Sequence, residues 1–268
     1  MKKINGRRKI ISMLTDFGIR DSYVGAMRGV ILGICPDAIL VDISHEIPKH
    51  NIIQGALTLA QATPYYVEGS IHLAVVDPDV GTARRRVIVQ GRRCIYVGPD
   101  NGVLSLAVQK EGIVRIVEIT NEEFMLLHPS NTFEGRDVFA PVAAHLAKGI
   151  DVDEFGPEVD NPVHLSIGEP ERRNGKIFGE VIHIDNFGNV TTNVPRTMLG
   201  EVVEGASLNV TIGRVSKTIP FHRTYGDAPI KSLLVTSGSC GYIEIAVNRG
   251  SARECYQAER GAQVVLFS

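Results

Sequence analysis

The chain has 268 residues, of which 44% are hydrophobic and 22% charged, and its formal net charge at pH 7 is -2. This composition is typical of a folded globular protein and excludes a disordered one. The slightly negative charge disfavours a nucleic-acid partner, because such proteins concentrate positive charge on their surface, so a small-molecule partner is expected.

The first part of the chain alternates between strands and helices. The expected elements, in chain order, are a strand in 9–18, a helix in 22–36, a strand in 38–44, a helix in 51–66, strands in 70–81, 85–91 and 93–104, and a helix in 137–149. Gly149 is typical of a helix C-terminus. This alternation predicts an α/β domain over residues 1–168, with a mostly parallel sheet flanked by helices.

The pattern changes after residues 168–176, a polar segment with glycine and proline that we interpret as a linker. From residue 177 onwards, short β-branched runs alternate with Gly, Asn and Asp and leave little room for helix. This pattern predicts a smaller all-β domain, a barrel or sandwich, over residues 169–268.

Cysteine spacing and hydropathy indicate the cellular compartment expected for the protein. Cys35, Cys94, Cys240 and Cys255 are far apart, which predicts neither a zinc site nor a disulfide framework. The apolar part of the basic N-terminal segment, residues 1–13, is too short for a secretion signal, and no apolar run is long enough to span a membrane. We therefore expect a cytoplasmic protein with reduced thiols and no membrane partner.

Acidic residues are expected immediately after three of the predicted strands, namely Asp16, Asp42 and Asp77. Ligands of an open parallel sheet bind beyond the carboxyl ends of its strands, so the three acids predict one shared pocket. The alternative is that each of them caps a helix or forms a turn.

Several signatures of other enzyme classes are absent from the sequence. It contains no G-x-G-x-x-G or G-x-x-x-x-G-K-[ST] phosphate loop, no H-E-x-x-H pair and no G-x-S-x-G elbow. Phosphate transfer and serine-hydrolase chemistry are therefore disfavoured, and no metal site is predicted.

Six short stretches occur in a fixed order over both predicted domains. They are "LTDFG" at 14, "DPDVGTARR" at 77, "PDNG" at 99, "TFEGRDVFAP" at 132, "DNFGN" at 185 and "YIEIAVNRGSA" at 242. This series resembles the S-adenosyl-L-methionine (SAM) hydroxide adenosyltransferases, a family related to the fluorinases and chlorinases. The resemblance covers nearly the whole chain.

The resemblance implies a metal-independent hydrolase that converts SAM and water to adenosine and L-methionine by displacement at ribose C5′. SAM would be the substrate, and no cofactor is implied. The family activates water with an Asp, an Arg seven positions later and a His in "TFHGRD". By resemblance Asp77 and Arg84 take the first two roles, and Glu134 stands at the position of the His, so these three residues are the expected catalytic set.

Several electrostatic expectations follow. A guanidinium near Asp77 is expected to lower the pKa of its carboxyl group. Glu134 adds a second anion, which an arginine must separate from Asp77. Arg85 and Arg86 are expected to be solvated or to pair at a subunit surface. The family has Gly where Asp79 stands, and a positive φ would strain the backbone there.

The resemblance also implies ligand contacts. Asp16 would hold the ribose hydroxyls, Phe187 would stack on adenine, and Asp185 and Asn189 would lie near the methionine ammonium and the adenine edge. Further contacts are implied for residues assigned to the C-terminal strands, namely Ser237, Ser239, Asn248, Ser251 and Ala252. The family forms its pocket between the first domain of one subunit and the second domain of its neighbour, which implies a homotrimer.

Two other functions stay open. A halogenase is disfavoured, because those enzymes have an uncharged residue in place of Asp77 and the fluorinase has an extra loop after this strand, where the link here is short. A non-catalytic adenosine- or SAM-binding protein is compatible with Glu134 at the histidine position. Residues 185–189, taken alone, are also typical of an ordinary hairpin turn.

Overall fold

The computed structural model describes residues 9–268. These residues form two compact units that divide between Leu165 and Ser166. The basic N-terminal segment falls largely outside the described residues. The predicted combination of an α/β unit and a β-rich unit is confirmed. Within the described range, every helix is too short or too polar to cross a membrane.

The first unit contains a six-stranded sheet with helices on both faces. Its strands are β1 (Ile10–Thr15), β2 (Ile39–Ser44), β3 (Ile71–Val75), β4 (Arg86–Gly91), β5 (Ile95–Pro99) and β6 (Ile113–Glu118). Its helices are α1 (Tyr23–Ile34), α2 (Ile52–Ala62), α3 (Ser105–Glu111) and α4 (Ala140–Lys148), the last preceded by a π-helical turn, Gly135–Phe139. The strand order is β2-β1-β3-β5-β4-β6, and β4 runs antiparallel to both of its neighbours.

The core of this unit lies on both faces of the sheet, and the chain changes direction across the sheet at β1. β3 is buried along its whole length, as is typical of a parallel strand that is covered on both faces. Met13 of β1 packs in the cluster that includes α1 and α4, whereas Leu14 packs in the cluster that includes α2 and α3. Because β2 and β3 pair with opposite edges of β1, the chain direction across the sheet switches there. Open α/β sheets bind ligands beyond such a switch point.

The second unit is an antiparallel sheet that nearly closes into a barrel. Its strands are β7 (Glu171–Arg173), β8 (Lys176–Ile184), β9 (Val190–Pro195), β10 (Ser207–Ile212), β11 (Val215–Pro220), β12 (Leu233–Ser237), β13 (Tyr242–Val247) and β14 (Gln263–Phe267). The order is β11-β10-β14-β8-β9-β13-β12, with β7 added beside β8. A bridge between Phe221, just after β11, and Val235 of β12 links the two edges of the sheet.

Short helical segments complete both units. One further α-helix, α5 (Ala252–Tyr256), precedes β14. Single turns of 3-10 helix occur at Thr63–Tyr65, Glu122–Phe124, Val152–Phe155, Arg196–Leu199 and Tyr225–Asp227.

Two local predictions were wrong. The segment 168–176 is not simply a linker, because β7 pairs with β8 across a turn in which Asn174 and Gly175 have positive φ. Ser251 and Ala252 do not lie on a strand. They begin α5, where the Ser251 side chain accepts a hydrogen bond from the Glu254 backbone N–H, and serine is among the preferred residues for such a helix start.

Candidate active site

Asp77 follows the buried strand β3, and Arg84 returns to it from the loop beyond. The Arg84 guanidinium donates through Nε to Oδ1 of Asp77 at 2.8 Å and through Nη2 to Oδ2. Both side chains are nearly inaccessible, at 4% and 8% exposure. This two-point contact between planar groups fixes the orientation of the carboxylate.

The loop between Asp77 and Arg84 is a compact turn. The Asp79 carbonyl accepts hydrogen bonds from the Thr82 backbone N–H at 3.1 Å and from its hydroxyl at 2.8 Å. Positive φ occurs at Gly81, 82°, and not at Asp79, so the expected strain at Asp79 is absent. A Cβ on Gly81 would lie 2.6 Å from the Asn131 carbonyl oxygen, which makes glycine necessary there.

Glu134 is bound by two arginines. Arg84 donates through Nη2 to Oε2 of Glu134, and Arg86 donates through Nε to Oε1 at 2.9 Å. The expectation that Arg86 is solvated or pairs at a subunit surface is wrong, because a carboxylate that is only 4% exposed binds it. Arg85 also pairs within its own unit, with Asp100 at 2.9 Å.

Arg84 separates two buried carboxylates, and Arg86 balances the second of them. Burial raises the pKa of Asp77 above its usual value, the hydrogen bonds from Arg84 offset only part of that rise, and the charge of Glu134 adds to it. The expected lowering of this pKa is therefore wrong, because desolvation outweighs the ion pair. A carboxylate with a raised pKa is a better proton acceptor near neutral pH.

A cavity of about 150 Å³ adjoins this network. Asp77 and Glu134 line it, together with the aromatic rings of Phe17, Tyr23 and Phe133. Sites that enclose drug-sized ligands measure about 300–1,000 Å³, so this cavity has room for only part of a nucleoside joined to an amino acid. Nη1 of Arg84 is buried and has no hydrogen-bond partner among residues 9–268, which leaves its N–H groups for a water or a ligand.

The other two acids of the predicted pocket lie apart from this lining. Asp16 directly follows β1, and its Oδ2 accepts a hydrogen bond from the His50 backbone N–H at 2.8 Å. Asp42 lies within β2, where it binds Arg28 and approaches His45 at 3.0 Å. The prediction of one pocket for all three acids is therefore wrong for Asp42, which is engaged on the surface of an edge strand.

Asp185 organises the turn between β8 and β9. Its Oδ1 accepts the backbone N–H groups of Phe187 and Asn189, and its Oδ2 accepts the Asn189 side-chain amide, all at 2.9 Å. The turn leaves Phe187 79% exposed, as expected from the sequence. Gly188 has φ 81°, and a Cβ there would lie 2.2 Å from the Ser251 hydroxyl, so the turn approaches α5 too closely for any other residue.

A second cavity, of about 560 Å³, surrounds this turn. The residues that line it are Asp185, Phe187, Asn189, Tyr225, Val247, Arg249 and Gly250. The structure thus brings together three of the predicted contacts, those in the 185–189 turn. Asn248 and Ser251 flank Arg249 and Gly250 in the chain.

Other predicted contacts lie away from this lining. Ser237 ends β12 opposite Ile243, and Ser239 follows in the hairpin turn; both are exposed, and neither is among the described residues that line the cavity. The Asn248 side chain donates to the Ala228 carbonyl at 2.7 Å. Ala252 is fully buried and packs in the barrel core.

Tyr225 and Arg249 were not predicted from the sequence. The Tyr225 hydroxyl donates to Oε1 of the buried Glu244 at 2.6 Å, which holds the ring at the cavity wall. Arg249 has φ 55°, an uncommon conformation for a residue other than glycine. Arg249 lies within the stretch "YIEIAVNRGSA", so the family resemblance was a signal that could have found it, whereas Tyr225 lies in a polar loop with no distinctive sequence signal.

Potential metal ligands and cysteines are dispersed through the described part of the chain. No group of three or more His, Cys, Asp or Glu side chains in residues 9–268 is placed to hold a metal ion. All four cysteines are free, and two of them, Cys35 and Cys94, are buried.

Both units match domain models of one protein family. Residues 11–156 match the model of the SAM hydroxide adenosyltransferase N-terminal domain, and residues 179–265 match that of the C-terminal domain. The (R)-S-adenosyl-L-methionine hydrolase of Thermus thermophilus is 38% identical over 96% of this chain and 99% of its own. The hydrolase of that name from Methanocaldococcus jannaschii is 43% identical over 70% of this chain and 67% of its own. A fluorinase from Nocardia brasiliensis is 30% identical over 98% of both chains.

Solved structures have the same fold. An uncharacterized conserved protein from Thermotoga maritima superposes with a TM-score of 0.92 at 35% identity, and the match covers 96% of this chain and 100% of the other. A conserved hypothetical protein from Thermus thermophilus gives a TM-score of 0.77 at 36% identity, over 97% and 100% of the two chains.

Proposed function

The chain belongs to the SAM hydroxide adenosyltransferase family, and we propose that it hydrolyses SAM to adenosine and L-methionine. The observation that carries this proposal is the buried contact of Asp77 with Arg84 beside a cavity at the carboxyl end of β3. Relatives that are 37–43% identical are named (R)-S-adenosyl-L-methionine hydrolase, whereas the fluorinases are 25–30% identical.

In the proposed reaction a water oxygen bonds to ribose C5′ while the C5′–S bond breaks and its electron pair goes to sulfur. Methionine leaves as a neutral thioether, so the leaving group needs neither a proton nor a metal ion. The water proton passes to Asp77 and then to solvent. Each oxygen of Asp77 accepts one hydrogen bond from Arg84, and a carboxylate oxygen has a second lone pair for the water.

The proposed contribution of the protein is to hold the water and to exclude solvent. A nucleophile positioned in line with the breaking bond gains rate by orientation, and fixed dipoles in a dry site stabilise the redistribution of charge. Nη1 of Arg84, a buried donor that lacks a partner in the described chain, supports a role for Arg84 in orienting this water.

Glu134 has a supporting role in this proposal. Both of its oxygens are engaged by arginines, so it is a poor candidate for a second base. We propose that it holds Arg84 against Asp77, and that Arg86 neutralises the added negative charge. This arrangement makes Glu134 compatible with catalysis at the position where the family has histidine.

The ligand contacts form the next part of the proposal. Asp16 would bind the ribose hydroxyls, and Phe187 would stack on adenine. The exposure of Phe187 supports this role, because a ring that is 79% exposed contributes little to folding. Asp185 and Asn189 would contact the amino-acid and adenine ends of the ligand, supported by their place in the lining of the second cavity.

We also propose a cytoplasmic homotrimer, in which each active site combines the α/β unit of one subunit with the β-rich unit of its neighbour. Free cysteines suit a reducing compartment. Light scattering should give three times the monomer mass. Co-expression of inactive Asp77→Asn and Asp185→Asn chains should restore activity, because mixed trimers would contain intact sites. No recovery would show that single chains supply each site.

The function itself is tested by incubating the purified protein with SAM in ¹⁸O-labelled water and separating the products. Adenosine with the label in its 5′-hydroxyl group, formed at a rate proportional to protein, is the expected result. Tight SAM binding without adenosine release would instead support a binding protein. A 5′-halo product that requires added halide would support a halogenase.

A further inference from the structure

Three aromatic rings meet at the wall of the first cavity. The ring centroids of Tyr23 and Phe133 are 5.1 Å apart, and Phe17 lies 5.8 Å from each of them. Phe133 meets Phe17 and Tyr23 edge to face, at 74° and 84°, and the planes of Phe17 and Tyr23 are tilted by 57°, so the three rings pack directly against one another. All three residues line the same cavity as Asp77.

The charged residues of this cavity offer little net attraction to a cation. Asp77 and Glu134 contribute two negative charges, and Arg84 and Arg86, which bind them, contribute two positive charges. A positively charged ligand that enters the cavity must therefore be stabilised in another way. The electron-rich faces of aromatic rings attract cations within about 6 Å without requiring a free carboxylate.

We propose that Phe17, Tyr23 and Phe133 form an aromatic cage on one wall of the cavity, whose exposed ring faces bind the sulfonium group of the substrate. This inference rests on the proposed function, since it assigns the part of the cavity that would receive the sulfur and its methyl group. A sulfonium is weakly hydrated compared with an ammonium and carries alkyl substituents, so it loses little on leaving water for an apolar ring surface.

The three rings differ in how open they are. The Arg136 guanidinium, paired with Asp137, lies over Phe133 at 5.0 Å and already occupies part of that ring's surface. Phe17 and Phe133 also pack against the hydrophobic core. Tyr23 is 46% exposed, so it has the most free surface and its replacement disturbs the core least.

The cage acts on selectivity rather than on the chemical step. Positive charge leaves sulfur as the C5′–S bond breaks, so attraction to the rings is strongest for bound SAM and weaker in the transition state. Loss of a ring should therefore raise KM and leave kcat unchanged or slightly higher. The cage should also favour SAM over the neutral thioether S-adenosylhomocysteine.

The test measures KM for SAM and the inhibition constant of S-adenosylhomocysteine in wild type, Tyr23→Phe and Tyr23→Leu. Tyr23→Phe keeps the ring and should resemble wild type. Tyr23→Leu should raise KM about fivefold, equivalent to about 1 kcal/mol, with kcat and the thioether inhibition constant changed less than twofold. An equal change for both ligands, or no change for either, overturns the cage.

A second series keeps the shape of residue 23 and avoids a folding defect. Phenylalanine and its mono-, di- and trifluorinated forms are placed at position 23, because each fluorine withdraws electron density from the ring face. KM for SAM should rise step by step while S-adenosylhomocysteine binding stays level, and a flat SAM series overturns the proposal. If wild type releases no adenosine, the proposed function fails on its own, and SAM dissociation constants measured in the same series still test the cage.

Discussion

Arg84 donates to both carboxylate oxygens of Asp77, with Nε at 2.8 Å from Oδ1. The same guanidinium also reaches Glu134 in the turn before α4. The orientation of one carboxylate thus depends on a strand end, the following loop and a helical turn that lies fifty positions from Arg84. The hydrogen bonds of Arg84 tie these three segments together around the end of β3.

Asp77→Asn should abolish most of the activity. The amide keeps the shape of the side chain but is a far weaker proton acceptor, and loss of a general base costs about 10²- to 10⁴-fold in rate. We expect kcat for adenosine release to fall at least about a hundredfold, with KM changed far less. Asp79→Asn, two positions along the exposed loop, is the matched control and should retain activity. Near-normal turnover by Asp77→Asn would remove Asp77 from the mechanism.

Glu134→Gln should shift the pH dependence of kcat/KM. The active form of Asp77 is the carboxylate, so activity falls as the pH drops below its pKa. The negative charge of Glu134 contributes to the raised pKa of Asp77, after the larger effect of burial. Removal of that charge lowers this pKa, and the acid limb of the profile should move to lower pH.

The matched control for this shift is Glu123→Gln, an exposed glutamate of the same unit, whose profile should coincide with that of wild type. An acid limb that stays in place or moves to higher pH in Glu134→Gln would contradict the coupling between the two carboxylates.

The regular elements were predictable because their pattern follows from burial. The continuous apolar run of β3 and the helical spacing of α1 each reflect the faces that they bury. By contrast, β7 consists of three charged residues, Glu171–Arg173, and exists through pairing with β8 and packing of Arg173 over Phe178 at 4.3 Å. Hydrophobic periodicity cannot detect such a strand.

The site was only partly predictable, because its energetics depend on distant partners. The pairing of Asp77 with Arg84 followed from the family pattern, but Arg86 binds Glu134 across 48 positions, which no local motif indicates. The direction of the Asp77 pKa shift depends on burial, which spacing in the sequence does not report. Asp42 was misplaced because β2 continues past it to Ser44, and its pairing with Arg28, fourteen positions away, follows no local pattern.

Phe187→Ala should weaken substrate binding without destabilising the fold. Base stacking on an aromatic side chain is worth about 1–3 kcal/mol by alanine substitution, which predicts a KM about tenfold higher. The thermal midpoint should stay unchanged, because the ring is 79% exposed. Val203→Ala, at another exposed apolar residue of the same unit, should change neither quantity. Equal KM values for Phe187→Ala and wild type would exclude stacking.

Gly188→Ala should impair both binding and folding. The added Cβ would lie 2.2 Å from the Ser251 hydroxyl, at a residue whose φ is 81°. Strain of this kind costs about 1–3 kcal/mol, so the thermal midpoint should fall by several degrees. Gly205→Ala is a control for the backbone conformation alone, because it has φ 78° with open space around it. A smaller loss in Gly188→Ala than in Gly205→Ala would refute the close contact.

Stability should depend on pH through His72, a buried residue outside the site. Burial lowers the pKa of His72 from 6.5 to about 4. The unfolded chain therefore binds a proton at His72 near pH 6.5, whereas the folded protein does not until about pH 4. The contribution of neutral His72 to the free energy of unfolding is complete above pH 6.5 and is lost as the pH falls from 6.5 to about 4. This lowering of the pKa corresponds to about 3 kcal/mol in the free energy of unfolding.

Comparison of wild type with His72→Asn isolates this effect from the titration of carboxylates. Asparagine is not titratable, and its side chain can still bond the Ser12 hydroxyl, which lies 2.6 Å from Nδ1 of His72. The variant is expected to be less stable at pH 7.5, because it loses the ring contacts with Tyr66 and Tyr96. Its free energy of unfolding should nevertheless fall less steeply than that of wild type between pH 6.5 and pH 4. Parallel curves in denaturant titrations over this range would show that His72 is protonated in the folded protein.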